Sequence, residues 1–428
     1  IFKAARDESP SFLEDVLIPK DAREQAQKRD DSIQKALIYD PKKVKPYILQ
    51  LHSAYFSAKV NNDYFINRYQ PYKNYQGQFK FPELGGMVQG GFSDLLEDHH
   101  VNIAFRLPAG TEGSDFFIRY ENTAKKIDWG ISYFRKVESL SPDPKRDWMD
   151  EEGKPYPNNA KVKTHYGEVN VHHPITYYLS AGFQEAVRYD RTIFLATDRY
   201  TLMYKDFNSI WSISTLSLTY DKLKPTLPML NKGFKAKGLI DVFQPIAGNE
   251  GTVTGSTLQL QYHQPLYKYI TLATQLQIGY SGGKSKVLYN TGGMDNNITV
   301  RTDSNVHPEQ ITPYAFQTLI TPLRGYLQNT LQGNQYLVFN TDVYFPLFQT
   351  LIPIETPLQS INQLQFGLFS DIATVRETWN KSKPQNDWVW SYGVSARTNL
   401  AGYPIRFDIA WPGALNKKPV WYLSLSLR

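Results

Sequence analysis

The sequence has 428 residues, no cysteine, a formal net charge of +6 spread along its length, and 14% aromatic residues, including 29 Tyr and 23 Phe. No cysteine means no disulfide framework and no thiolate metal site, the absence of a basic arm or recognition helix argues against a nucleic-acid partner, and no apolar run is long enough for a transmembrane helix. A transmembrane β-barrel stays open, because only every second strand residue meets lipid and the mean hydropathy, here −0.46, can remain polar.

In chain order, residues 1–46 differ from the remainder of the chain. KDAREQAQKRDDSIQKAL predicts a short, strongly charged helix, and the Pro-bearing DPKKVKP after it reads as a solvated, periplasmic linker. Beginning at Ile1 with no initiator Met and no signal peptide, the sequence is expected to be a processed or partial chain. From residue 47 the helical period gives way to period 2. Strands are predicted near 47–60, 84–94, 99–107, 114–122, 127–137, 161–173, 176–190, 209–221, 234–245, 254–265, 267–281, 335–346, 361–374, 388–399, 403–411 and 420–428.

The alternation is clearest in ITLATQLQIGY, with Ile270, Leu272, Leu276, Ile278 and Tyr280 on one face and Thr271, Gln275 and Gln277 on the other. WVWSYGVSARTNL sets Trp388, Trp390, Tyr392 and Val394 opposite Ser391, Gly393, Ser395 and Arg397. YPIRFDIAW sets Ile405, Phe407, Ile409 and Trp411 opposite Arg406 and Asp408, and WYLSLSLR sets Trp421, Leu423, Leu425 and Leu427 opposite Tyr422, Ser424 and Ser426. A soluble sandwich also alternates, but a dry core does not tolerate Gln, Arg and Asp on its inner face, whereas a water-filled lumen does. The expected fold is therefore all-β: a transmembrane antiparallel barrel of about sixteen strands over 47–428, preceded by the helical linker. Parity places the stretches 61–83, 138–160, 191–208 and 282–334 outside and the turns HHPI, QPLYK and AG on the periplasmic side, with 222–233 and 347–360 long for such turns.

Within the longest external stretch stands LITPLRGYLQNTLQGNQYLVFNTDVYFPL, whose strand points Leu337, Phe339, Val343 and Phe345 outward and Asn340, Asp342 and Tyr344 inward. Leu323, Arg324, Gly325 and Tyr326, followed by NTDVYFPL, LFSDIATV and the closing YPIRFDIAWP and WYLSLSLR, resemble the BamA-type superfamily of outer-membrane assembly and two-partner-secretion transporters. That resemblance implies a sixteen-stranded barrel whose LRGY tip folds back into the lumen within 282–334, and a salt bridge from Arg324 to Asp371. Alternation from Phe366, Leu368 and Ile372 independently turns Asp371 inward, and Asp342 and Asp408 are the competing lumen carboxylates. GGFSDLLEDHHV is similar to a phrase in Bacteroidota-type barrels that follow a periplasmic TolB-like propeller. Two departures stand out: residues 1–46 are too short for a POTRA module, and Arg428 closes the sequence where such barrels end on an aromatic residue, as if about one residue were missing.

Other motifs carry little chemistry. GYSGG at 279–283 matches G-x-S-x-G, but no helix follows it to form a nucleophile elbow. In strands the neighbours His99 and His100, and His172 and His173, point to opposite faces and chelate poorly. The acidic stretch 141–153 lacks EF-hand spacing, and neither a P-loop nor an HExxH helix is present. No enzyme activity, cofactor or metal is expected. The resemblance implies a bacterial outer-membrane barrel that inserts or translocates polypeptide clients, with a seam between first and last strands and outer-membrane lipid and periplasmic or surface lipoproteins as partners. The alternatives are a gated diffusion channel for small solutes and a membrane anchor for a propeller or surface partner.

Overall fold

The computed structural model describes residues 21, 24, 25, 28, 29, 47–61, 69–72, 79, 85–108, 113–140, 160–195, 202, 205–248, 250–303, 313–352, 357–377, 388–400, 402–413 and 415–425. Contacts divide the chain into residues 1–50 and 51–428. In the first unit Asp21, Glu24, Gln25, Lys28 and Arg29 are helical; the rest of the expected helix, and the linker after it, lie outside the described residues.

The second unit is a succession of strands: β1 (His52–Asn61), β2 (Gln70–Pro71), β3 (Gly85–Ser93), β4 (His99–Pro108), β5 (Asp115–Asn122), β6 (Asp128–Leu140), β7 (Ala160–Pro174), β8 (Leu179–Phe194), β9 (Phe207–Asp221), β10 (Lys224–Leu227), β11 (Leu230–Ala247), β12 (Val253–Tyr267), β13 (Ile270–Gly283), β14 (Lys286–Thr291), β15 (Tyr314–Ile320), β16 (Leu331–Gly333), β17 (Gln335–Pro346), β18 (Gln365–Arg376), β19 (Val389–Leu400), β20 (Tyr403–Pro412) and β21 (Val420–Leu425). β2, β14, β15 and β16 form a small sheet of their own; the others form the wall, seventeen strands in all with the short β10. Each long wall strand pairs antiparallel with the next, from β1 with β3 through to β20 with β21. The first and last strands are brought together: Leu425 lines a cleft of about 570 Å³ with Ala58, Lys59, Val60, Met87 and Val88.

All sixteen expected spans fall on wall strands. The expected span at 361–374 begins too early, because Gln359–Asn362 form a helical turn and the strand starts only at Gln365. TIF of the stretch 191–208 continues β8 to Phe194 rather than opening the loop. The segment 222–233 owes its length to β10, which folds back on β11.

The outer face is apolar and exposed, with Phe105, Ile131, Val187, Leu218, Leu258 and Leu368 among its large side chains. A water-soluble monomer does not present so continuous an apolar surface, whereas lipid accepts it and demands that every backbone group be paired along the ladders. Aromatic rings edge this belt at both ends. Trp390, Tyr392 and Trp411 stack along β19 and β20, and Tyr178, Tyr220 and Phe234 meet in tilted contacts beside the short turns. One carboxylate interrupts the belt: Glu185, between exposed Phe183 and Val187, accepts hydrogen bonds from the Ser212 and Ser214 hydroxyls at 2.6 and 2.5 Å.

The inner face is wet only in part. Gln259, Gln261, Gln275 and Gln277 line a cavity of about 780 Å³. Beside it the small sheet packs against the wall: Phe316 of β15 lies 4.9 Å from Trp211 and 5.1 Å from Phe243, and Tyr289 of β14 lies 4.8 Å from Tyr336. Of the stretch 61–83, expected outside, the described residues 69–72 and 79 lie against the lumenal sheet and the LRGY loop instead. Gln70 and Pro71 pair with β15, and buried Phe79 accepts hydrogen bonds from Gln328 and Asn329 of the LRGY loop.

Candidate functional site in the barrel lumen

Register builds the floor of the site. The inward residues of β17 to β20 align across the ladders as Asn340, Asp371 and Ser391, then Asp342, Phe369, Gly393 and Ala410. A further row carries Ser395, Asp408 and Tyr422, and another brings Gln365 and Arg397 beside Arg406 and Ser424. Acidic side chains therefore come from three different strands onto one patch, while Ser391, Gly393 and Ala410 leave a shallow depression between them. The alternation that exposes Leu368, Val394 and Phe407 to lipid is what turns their neighbours inward.

The LRGY tip fills that depression. Arg324 is fully buried: its backbone N–H and Nε donate to Asp371 Oδ2 at 2.9 and 2.7 Å, and Nη2 donates to Asp371 Oδ1 at 2.5 Å. The other edge of the guanidinium engages Asp342, with Nη1 to Oδ1 at 2.6 Å and Nη2 to Oδ2 at 3.2 Å. Asp408 stands 4.0 Å away, and the guanidinium carbon lies 3.6 Å from the centre of the Phe369 ring. Two planar forks on one guanidinium set its orientation as well as its charge, which a lysine could not do. Burial by itself lowers the pKa of Arg324; the Asp342 and Asp371 charges override this and hold it above the usual arginine range.

Arg406 completes the cluster, donating from Nε to Asp408 at 2.9 Å and from Nη2 to Asp342 at 3.2 Å. Arg397 is inward too but serves another purpose. It stacks 3.4 Å over Tyr344 and donates to Gln365 and to the Met229 carbonyl, tying the β10–β11 turn to the wall.

Leu323 is fully buried and exchanges main-chain hydrogen bonds with Gly293, 3.0 Å each way. Gly325 has φ of +89°, and its backbone N–H donates to the Tyr422 hydroxyl at 2.9 Å, which in turn donates to the Tyr326 carbonyl at 2.7 Å. A Cβ on Gly325 would lie 3.0 Å from Ser391 Cβ and 3.3 Å from Pro412 N. Gly325→Ala is therefore expected to weaken seating of the tip by roughly 1 to 2 kcal/mol, read as faster amide exchange at 323–328 with the folded, heat-modifiable barrel unchanged. Unchanged exchange there would mean the backbone conformation is not what seats the tip. Tyr326 reaches the wall with its hydroxyl 3.0 Å from the Trp390 carbonyl.

Alternation turned Asn340 and Tyr422 inward but gave them no role, and it did not point to Phe369; Asn340 Nδ2 donates to both Asp371 (2.8 Å) and the Pro322 carbonyl (2.9 Å). The available signal was the run of small inward residues in WSYGVS beside an inward carboxylate, which leaves room for something to dock.

At the terminal strand, Trp421 is exposed on the outer face while Tyr422 and Ser424 are buried inside; Leu423 and Leu425 are half-buried, and Leu427 lies outside the described residues. The edge of β21 turned away from β20 is occupied. Ile298 N–H donates to the Leu423 carbonyl at 2.9 Å, Leu425 N–H donates to the Asn296 carbonyl at 3.0 Å, and Asn297 faces Ser424. Arg301 lies over the Trp421 ring, 4.9 Å from its centre. The loop that carries the tip thus also bridges to the last wall strand at Asn297.

No curated protein matches the sequence. Among solved structures, BamA from Haemophilus ducreyi lacking POTRA domains 1–3 is similar with a TM-score of 0.56 at 12% identity, over 95% of this chain and 78% of that chain. CdiB from Acinetobacter baumannii gives 0.44 at 11% identity over 88% and 65% of the two chains, and CdiB from Escherichia coli gives 0.46 at 8% over 90% and 68%. Likeness at such identities concerns the fold. A family model speaks to membership, and the Omp85 superfamily domain matches residues 101–420, from β4 into β21. The chain accordingly belongs to the Omp85 superfamily of outer-membrane β-barrels in protein transport and assembly.

Proposed function

We propose that this outer-membrane barrel acts on polypeptide clients, inserting or translocating them, and that the loop of residues 284–334 governs access to both the lumen and the seam. The observation that carries this reading is the bridge at Asn297, with its two flanking main-chain hydrogen bonds, on the edge of β21 turned away from β20. An exposed edge is a template for pairing with any extended chain, and an internal segment that covers it keeps the template closed until a client competes. The lumenal sheet argues against free passage of small solutes, because aromatic side chains of β14 and β15 pack directly on the wall. In the same reading, residues 1–46 form a periplasmic linker. GGFSDLLEDHHV supports kinship with barrels that follow a periplasmic propeller, and a lipoprotein is the partner class we assign to the periplasmic or surface side. The upstream sequence and affinity purification from native membranes test those two points.

The chain has no cysteine, so a tether can be introduced cleanly. Asn297 and Ser424 face each other with flanking main-chain bonds on either side. In an antiparallel pair this is the non-hydrogen-bonded geometry, with Cα atoms about 4.5 Å apart, close enough for a disulfide. Asn297→Cys with Ser424→Cys should crosslink under oxidation. A photo-crosslinker at Val60, in the cleft beside Leu425, should then capture client polypeptides only after reduction. Capture that is equal in both redox states would remove the gating role; large steady conductance in planar bilayers from the oxidised protein would favour a diffusion channel instead.

A further inference from the structure

On β6, β7 and β8 the outer face shows the same step three times. Two residues beyond an exposed or half-buried ring, toward the strand ends that lead to the long connections, stands a cation: Arg135 after Tyr133, Lys163 before His165, and Arg191 after Tyr189. The rings form one cluster, with Tyr133 Oη 2.8 Å from His165 Nδ1 and the His165 and Tyr189 rings 6.1 Å apart. Aromatic rings of this kind settle at the level of the lipid headgroups. Two residues of strand rise about 6.6 Å, which carries the three cations from that level into the headgroup layer.

Two of the cations are also set against each other: Lys163 stands directly opposite Arg191 in the ladder of β7 with β8, while Arg135 stands directly opposite the His165 ring in the ladder of β6 with β7. Like charges so placed are destabilising unless an anion lies between them. Arg191 has Asp206, at 2.5 Å. Arg135 has a 3.4 Å contact with the Ser114 hydroxyl, and among the described residues Lys163 has no carboxylate partner. What remains, among the described residues, is a patch of positive charge without a carboxylate partner, fixed on strands and facing the membrane at headgroup height.

We propose that Arg135, Lys163 and His165 form a binding site for the phosphate of an outer-leaflet glycolipid, whose acyl chains lie along Ile131, Val169 and Val187 below. Those three side chains are exposed on the same strands, on the belt side of the rings. A phosphate carries enough charge and acceptor oxygens to bridge Arg135 and Lys163, and the apolar strip beneath distinguishes a lipid from a free anion. The site is on the barrel exterior, so it does not depend on how clients are handled.

The test is a titration of the detergent-solubilised full chain with bisphosphorylated lipid A, followed by native mass spectrometry. Each cation near such a surface contributes about fivefold. Arg135→Gln with Lys163→Gln should therefore bind about thirtyfold more weakly. Lys268→Gln, in the two-residue turn between β12 and β13 at the other end of the barrel, should bind like the unmodified protein. Lipid A stripped of its phosphates should bind the unmodified protein about as weakly as the phosphorylated lipid binds the double variant, a comparison that needs no folded variant. Equal binding of the two lipids by the unmodified protein would overturn the proposal. So would equal binding by a folded double variant, or full competition by inorganic phosphate at the same concentration as the lipid.

Discussion

Arg324→Ala is expected to release the LRGY tip from the lumen wall while the barrel stays folded. Among the described residues the substitution leaves Asp371 with Asn340 as its one donor side chain, and leaves Asp342 and Asp408 to share Arg406. Before the change two guanidinium groups faced three carboxylates; afterwards one does. Removing one partner of a buried ion pair typically costs about 3 to 5 kcal/mol, because the other charge is left uncompensated. The structure can relieve that cost locally by letting the tip leave and water enter, so the wall ladders need not bear it. Amide exchange at 323–328 should accelerate by roughly a hundredfold to several thousandfold. Exchange in β15 should change little, since Phe316 is held independently by Trp211, Phe243 and the Arg188 guanidinium, 5.0 Å from the centre of its ring.

The three carboxylates can be ranked in the same assay. Asp371 takes the Nε and Nη2 edge and the Arg324 backbone N–H, so Asp371→Ala should free the tip nearly as far as Arg324→Ala. The double variant should add little to either single one, because the pair acts as a unit. Asp342→Ala should do less to the tip, since the Asp371 contacts survive, and Arg324→Lys should behave like a partial loss because an ammonium cannot engage both forks. Additive effects of Arg324→Ala and Asp371→Ala would sink the idea that this pair holds the loop.

Leu258→Arg is expected to prevent the barrel from accumulating in the membrane, whereas Gln259→Arg should leave it folded. The two residues are neighbours on β12, yet Leu258 is exposed on the apolar outer belt and Gln259 lines the wet lumenal cavity. An arginine facing lipid near the bilayer midplane costs about 2 to 4 kcal/mol, and one facing a water-filled lumen costs little. Against a stability of a few kcal/mol, the first change is severe and the second is not. The measurement is the fraction of heat-modifiable protein recovered in lipid vesicles, and similar loss from both variants would contradict the assignment of lipid and lumen faces.

The wall was legible in the sequence because its cause is local. In ITLATQLQIGY and WVWSYGVSARTNL the two faces meet different solvents, and a period of 2 records that difference residue by residue. Turn residues mark where strands end: Gly402 takes φ of +87° and Lys268 takes +47° at the tight turns. The inward direction of Asp342, Asp371 and Asp408 follows from the same parity, and the Arg324 tip was recognisable as a motif beside them.

What tertiary structure decided is everything that depends on register between distant strands and on the fate of the loops. Alternation says that Asp342 and Asp371 point inward but not that β17 and β18 align them so that one guanidinium can hold both. The stretches 61–83 and 282–334 read as polar and therefore external. Yet Gln70 and Pro71 pair with Phe316 and Gln317 inside the wall, because short strands can satisfy their backbone groups with each other wherever a lumen is wide enough to admit them. The cover on the β21 edge has no local signature at all in MDNNITV: Asn297 bridges to Ser424 only because an unpaired edge lies within reach. Pattern determines which face of a strand meets which solvent. Pairing between segments more than a hundred residues apart is settled by the arrangement of the whole wall, which no single window of sequence contains.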